Sequence, residues 1–173
     1  ATGNVTLLSG GSNGGGLVGY LYGGSITSSF AKGHVSGSDV GGLTGTTQAN
    51  SSITKSYATG NVTLTSANGQ AGGLIAYLPG TTTDSISNNY ASGSVTQTGG
   101  SGGSLGGLVG SGSDRSFTGN YWNSTNNPSF SNYMNQSSSR SMAQVALFAA
   151  LLAVFGLIPK IDLPLGVPIT LQT

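Results

Sequence analysis

Cysteine and glutamate are both absent from this 173-residue chain, and histidine occurs once. The first absence excludes a disulfide framework and any thiolate metal site. The second leaves Asp39, Asp84, Asp114 and Asp162 as the only side-chain carboxylates. Hydrolysis by paired acids needs two that converge, and these four fall at unrelated points of the chain. His34 alone cannot be assigned to any particular serine as a triad base. It occupies an outward rung position that Asn61 and Ser94 hold elsewhere. The Gly-rich stretches 10–16 and 99–107 lack the Lys-Ser/Thr that a phosphate loop requires. The chain therefore reads as a non-enzyme, with no catalytic residue, no metal site and no cofactor. Charge is scarce as well, at 5% of residues against about 25% in ordinary domains. A net charge of +1 gives no basic face for nucleic acid.

What the chain does contain is repetition. Gly-Gly-Leu recurs at 15–17, 41–43, 72–74 and 106–108, with spacings of 26, 31 and 34 residues. Between these anchors an apolar residue stands four positions before an aromatic: Ile26 and Phe30, Ile53 and Tyr57, Ile86 and Tyr90, Phe117 and Tyr121. Three of the aromatics continue as Ala-x-Gly-x-Val, ending at Val35, Val62 and Val95, and the chain opens on the same phrase, ending at Val5. Self-similarity at this period is the signature of a stacked repeat architecture. Each unit offers about three short apolar stretches bounded by Gly, Ser, Asn and Thr, which is strand punctuation. Three strands per unit fit one coil of a β-solenoid. Glycine pairs suit its corners, where backbone angles are tight and a Cβ has no room. Leu, Ile, Val and the aromatic are then expected to point inward. Scarce charge agrees with this stack, because like charges on neighbouring rungs lie about 4.8 Å apart and repel.

Past residue 125 the character changes. Residues 126–140 form a polar connector. Residues 141–158 read as an apolar helix, with Ser141 as N-cap, Gly156 as stop and Pro159 beyond. A helix apolar on all sides is buried in protein or lipid. The stretch 142–158 is at the short limit for a span, so a cap or subunit interface is favoured over membrane contact. Residues 159–173 alternate apolar and polar at period two, the pattern of a strand with one buried face. Pro164 and Pro168 confine it to an edge. Val145, Phe148, Leu152 and Phe155 of the helix, with Ile161, Leu163, Leu165, Val167, Ile169 and Leu171 of the strand, form the expected assembly interface. Asn4, Asn50, Asn61, Asn123 and Asn135 stand in Asn-x-Ser/Thr sequons and allow glycosylation.

Gly-Gly-Leu-Val-Gly at 15–19 and 106–110, with Ser-Tyr-Ala-Thr-Gly-Asn-Val at 56–62, resembles the GLUG-motif repeat of large bacterial and archaeal surface proteins and filamentous-haemagglutinin-like adhesins. Asn-Tyr-Trp-Asn at 120–123 resembles the phrase that closes such arrays. The resemblance covers about residues 1–125 and implies a right-handed β-solenoid used for surface display or adhesion. The expected fold is thus all-β: a right-handed β-solenoid of about four coils over 1–125, then an apolar α-helix and an extended edge strand. Two functions follow. The first is a structural subunit of an extracellular filament, assembling head-to-tail with copies of itself through open solenoid ends and the C-terminal arm. The alternative is a monomeric adhesin at the cell surface, binding glycans or a host surface through its loops.

Overall fold

The structure, a computed structural model, describes residues 1–9, 11–80, 83–112 and 116–127. The expected helix at 141–158, the strand at 159–173 and most of the connector lie outside the described residues, and so do all ten expected interface residues.

Among the described residues twenty short strands, all paired in parallel, form five sheets of four strands each. Each sheet takes one strand from each coil, so these residues form a β-solenoid of four five-sided coils. The first face carries Val5–Thr6, Val35–Gly37, Val62–Leu64 and Val95–Gln97. The second carries Gly14–Gly15, Asp39–Gly41, Gln70–Gly72 and Ser104–Gly106. The third carries Val18–Tyr22, Thr44–Gln48, Ile75–Leu78 and Val109–Gly112. The fourth carries Ser25–Thr27, Ser52–Thr54, Ser85–Ser87 and Ser116–Thr118. The fifth carries Phe30–Ala31, Tyr57–Ala58, Tyr90–Ala91 and Tyr121–Trp122. No helix occurs among the described residues.

The repeat phrases superpose in register. Val5, Val35, Val62 and Val95 face one another from coil to coil, as do Gly15, Gly41, Gly72 and Gly106. Two of the three expected apolar stretches are bent, and each yields two strands. The Gly-Gly-Leu stretch turns at its glycines, and the Ile-x3-aromatic stretch turns at its middle.

The two turns have different causes. At the glycine pairs no left-handed φ occurs, so the expected need for special backbone angles is not the reason for them. Close approach is. A Cβ on the first glycine of each pair would meet the carbonyl three residues on, as Gly41 would meet the Thr44 oxygen at 2.0 Å. In the first three pairs a Cβ on the second would meet the next coil, as Gly42 would meet the Gly73 oxygen at 2.1 Å and the Ala58 Cβ at 2.9 Å; on Gly107 it would meet the Trp122 ring. The turn that takes left-handed φ in every coil is the one between the fourth and fifth faces, on Ser28 (49°), Lys55 (51°), Asn88 (57°) and Gly119 (67°). Three of these carry side chains, in a region that costs about 1–2 kcal/mol for an L-residue.

The interior divides into two thin columns. Ile26, Leu43, Ile53, Leu74, Ile75 and Ile86 lead one, joined by Ala31, Ala58 and Ala91. Val35, Val40, Val62, Leu64, Ala71 and Val95 make the other. Residues at the ends of the described stack are only half-buried: Val5, Leu7, Val18 and Leu21 at one end, and Leu105, Phe117 and Trp122 at the other.

Candidate functional site: an outward aromatic column

The aromatics do not point inward. Phe30, Tyr90 and Tyr121 are 37%, 42% and 40% exposed, and Tyr57 is half-buried between its neighbours. In the first three coils the residue after the aromatic is an inward alanine, and Ala31, Ala58 and Ala91 are fully buried; in the fourth it is the half-buried Trp122. The reason is width. The fifth face lies against the second glycine of each pair, where even a methyl group is tight, so nothing larger than alanine fits inside along the middle of the stack. Strand alternation then turns the preceding aromatic outward.

The four rings form a column in strict register, Phe30 beside Tyr57, Tyr57 beside Tyr90 and Tyr90 beside Tyr121. Phe30 and Tyr57 are stacked with centroids 5.4 Å apart and planes 12° from parallel. Lys32 Nζ lies 5.2 Å from the Phe30 centroid, within cation–π range. A second aromatic pair, Tyr20 and Tyr22, is exposed on the third face. It does not extend along the stack: Thr46, Tyr77 and Ser111 follow in the Tyr20 column, and Gln48 stands beside Tyr22.

Two polar ladders hold the edges of the fifth face. The one before the aromatics consists of half-buried Ser29 and buried Ser56, Asn89 and Asn120. The Ser29 N–H donates to Ser56 Oγ (3.1 Å), the Ser56 N–H to Asn89 Oδ1 (2.9 Å), and the Asn89 N–H to Asn120 Oδ1 (3.0 Å). The amides turn back into the stack: Asn89 Nδ2 donates to the Ile53 carbonyl (2.8 Å) and Asn120 Nδ2 to that of Ile86 (2.7 Å). This ladder escaped sequence reasoning. Its signal was a Ser or Asn directly before every aromatic.

The ladder after the aromatics is exposed. His34 N–H donates to Asn4 Oδ1 (2.9 Å), Asn61 N–H to His34 Nδ1 (3.0 Å), and Ser94 N–H to Asn61 Oδ1 (3.1 Å). The single histidine is therefore an acceptor in a backbone ladder, with the lone pair of Nδ1 already engaged.

The two described acids serve different faces. Asp39 accepts the Gln70 N–H (3.1 Å) on the second face. Asp84 is buried where the chain enters the fourth face and accepts the Ser51 N–H (2.7 Å). Asp114 and Asp162 lie outside the described residues. Among the described residues no group of three or more His, Cys, Asp or Glu could hold a metal, and no helix is long and apolar enough to cross a membrane. Of the sequon residues, Asn4, Asn50 and Asn61 are exposed, and Asn123 is half-buried. The hydrogen bonds of these four use Oδ1, Asn50 accepting from Thr83 and Asn123 from the Thr125 N–H. Asn135 lies outside the described residues.

Residues 10–36 and 36–63 each match the family model of the GLUG motif. The chain carries GLUG-motif repeats. The two matched segments span the first and second coils, and the same register runs on through coils three and four. Residues 127–173 match a different family model, that of the BioY family. Of that segment only Asn127 is described. Its Oδ1 accepts the Val95 N–H (2.8 Å) at the end of the GLUG stack. No curated protein and no solved structure matches the chain.

Proposed function

We propose that the GLUG-repeat region is an extracellular, surface-displayed binding module that engages its partner along a side wall. The observation that supports this reading is the exposed aromatic column of the fifth face. A protein gains nothing in solubility from a continuous outward line of large apolar rings, and such lines mark contact surfaces. The near absence of charge, the hydroxyl-rich walls and the exposed sequon asparagines fit a location outside the cell. The test uses the full chain displayed on beads and challenged with extracellular material from cell surfaces. Replacing Phe30, Tyr90 and Tyr121 together by alanine is expected to abolish retention while leaving the unfolding temperature within a few degrees. Undiminished retention by the triple variant would refute the side-wall reading.

A second reading is a subunit of an extracellular filament, in which residues 159–173, alternating apolar and polar at period two, add as an edge strand to the next copy; a head-to-tail contact of this kind propagates. Electron microscopy of the purified chain is then expected to show fibres, and deletion of 159–173 to abolish them. Fibres that survive the deletion would sink this reading.

A further inference from the structure

We infer that the partner of the fifth face is a linear, neutral polysaccharide lying parallel to the solenoid axis. This rests on the side-wall reading above and names the ligand class for it. Three observations carry it. The first is shape. The apolar strip is one ring wide and four coils long, which is too narrow for a globular partner and suited to a single extended polymer. Its rungs repeat at the strand spacing of about 4.8 Å, close to the length of one pyranose unit in an extended β-linked chain. A sugar on each rung would therefore remain nearly in phase with the rings over four coils.

The second observation is what flanks the rings. Thr27, Thr54, Ser87 and Thr118 form a half-buried to exposed column on one side. The residues two places after the aromatics, Lys32, Thr59, Ser92 and Asn123, form another on the opposite side. Sugars present apolar C–H faces and equatorial hydroxyls together. Phe30 and Tyr57 are stacked on each other along the axis, so this pair shows its ring edges outward; an apolar strip between two rows of hydroxyl and amide groups still offers contacts for both the C–H groups and the hydroxyls of a sugar.

The third is charge. No carboxylate lies in any of these columns; Lys32 is the one lysine in them, and Lys55 stands in the turn beside them. Neither lysine recurs in the other coils, where Thr59, Ser92 and Asn123, or Ser28, Asn88 and Gly119, take its place. What repeats along the strip is uncharged, so a polymer read by the repeat is uncharged.

The experiment uses the full chain with cellulose, β-mannan, β-xylan and alginate as immobilised probes, and with soluble oligomers of each. Retention on at least one neutral probe is expected. Affinity for its oligomers should rise with length and level off near four units, one per coil. Tyr90→Ala with Tyr121→Ala should weaken binding about tenfold, from the usual worth of an aromatic contact. Tyr90→Phe with Tyr121→Phe should retain it. Binding to alginate alone, lost on replacing Lys32 and Lys55 by alanine and on adding salt, would overturn the inference in favour of an anionic polymer. So would no retention on any probe. If the aromatic triple variant still loses retention on extracellular material while every polysaccharide fails, the side-wall site stands and the ligand class falls. Dimers in light scattering that vanish on Tyr90→Ala and Tyr121→Ala would reassign the strip to contact between copies.

Discussion

The solenoid turns two of its corners by opposite means. At the corner between the second and third faces the chain removes side chains altogether, and the glycine pair lets backbone meet backbone across coils. At the corner between the fourth and fifth faces it keeps side chains and buries them as a ladder of Ser and Asn. The first is fixed by steric exclusion, because any Cβ collides. The second is fixed by hydrogen-bond satisfaction, because each buried N–H needs the acceptor supplied by the next coil. Neither corner could exchange its residues with the other. Asn at the glycine corner has no space, and Gly at the ladder corner supplies no acceptor.

Substitutions can test this contrast. The largest loss is expected at the glycine corner. A Cβ on Gly73 would sit 2.1 Å from the Gly107 oxygen and 3.0 Å from the Ala91 Cβ, and both are main-chain or main-chain-anchored atoms. Gly73→Ala should cost about 3 kcal/mol, read as a lower urea midpoint. Gly3→Ala, where nothing lies within 4 Å, should stay within about 0.5 kcal/mol. Equal effects at the two sites would refute steric exclusion as the cause.

Next comes the ladder. Asn89→Leu leaves the Ser56 N–H and the Ile53 carbonyl without their partners in a buried site, at a cost of about 2 kcal/mol. Asn89→Ser should cost less in the same denaturation, because Ser56 accepts the Ser29 N–H at this position one coil earlier. If the leucine variant were as stable as the parent, the ladder would be incidental.

The smallest effect sharpens the contrast by removing polarity from the dry side. Thr44 Oγ1 is buried just past the glycine corner with no hydrogen-bond partner. Its column is otherwise apolar, with Val18, Ile75 and Val109. Thr44→Val removes the orphan oxygen at constant shape and should raise stability by about 1 kcal/mol, seen as a higher melting temperature.

Much of this was legible in the residues. The Gly-Gly-Leu anchors and the valines align because identical residues pile up at identical register, and a linear alignment of the repeats is already a map of neighbours. The orientation of the aromatics was not. An Ile-x3-aromatic spacing gives no parity until the bend at Ser28, Lys55 and Asn88 is known, and a left-handed φ on lysine has no sequence signal. The deciding fact is the narrow interior opposite the glycines, a distance across the coil that no local pattern encodes. The buried Asn89 and Asn120 were hidden for another reason: asparagine before an aromatic looks like ordinary turn punctuation. The aromatic column was thus found by position and misread by side.

The two ladders run in opposite senses. In the buried one a later coil supplies the acceptor for an earlier coil; in the exposed one an earlier coil supplies it for a later coil. Every junction is therefore stitched from both sides by the same pair of bonds, whichever two coils meet there. A gene that gained or lost one whole unit by unequal recombination would encode a protein whose new seam needs no new residue, so the reach of the wall is free to drift in steps of one coil.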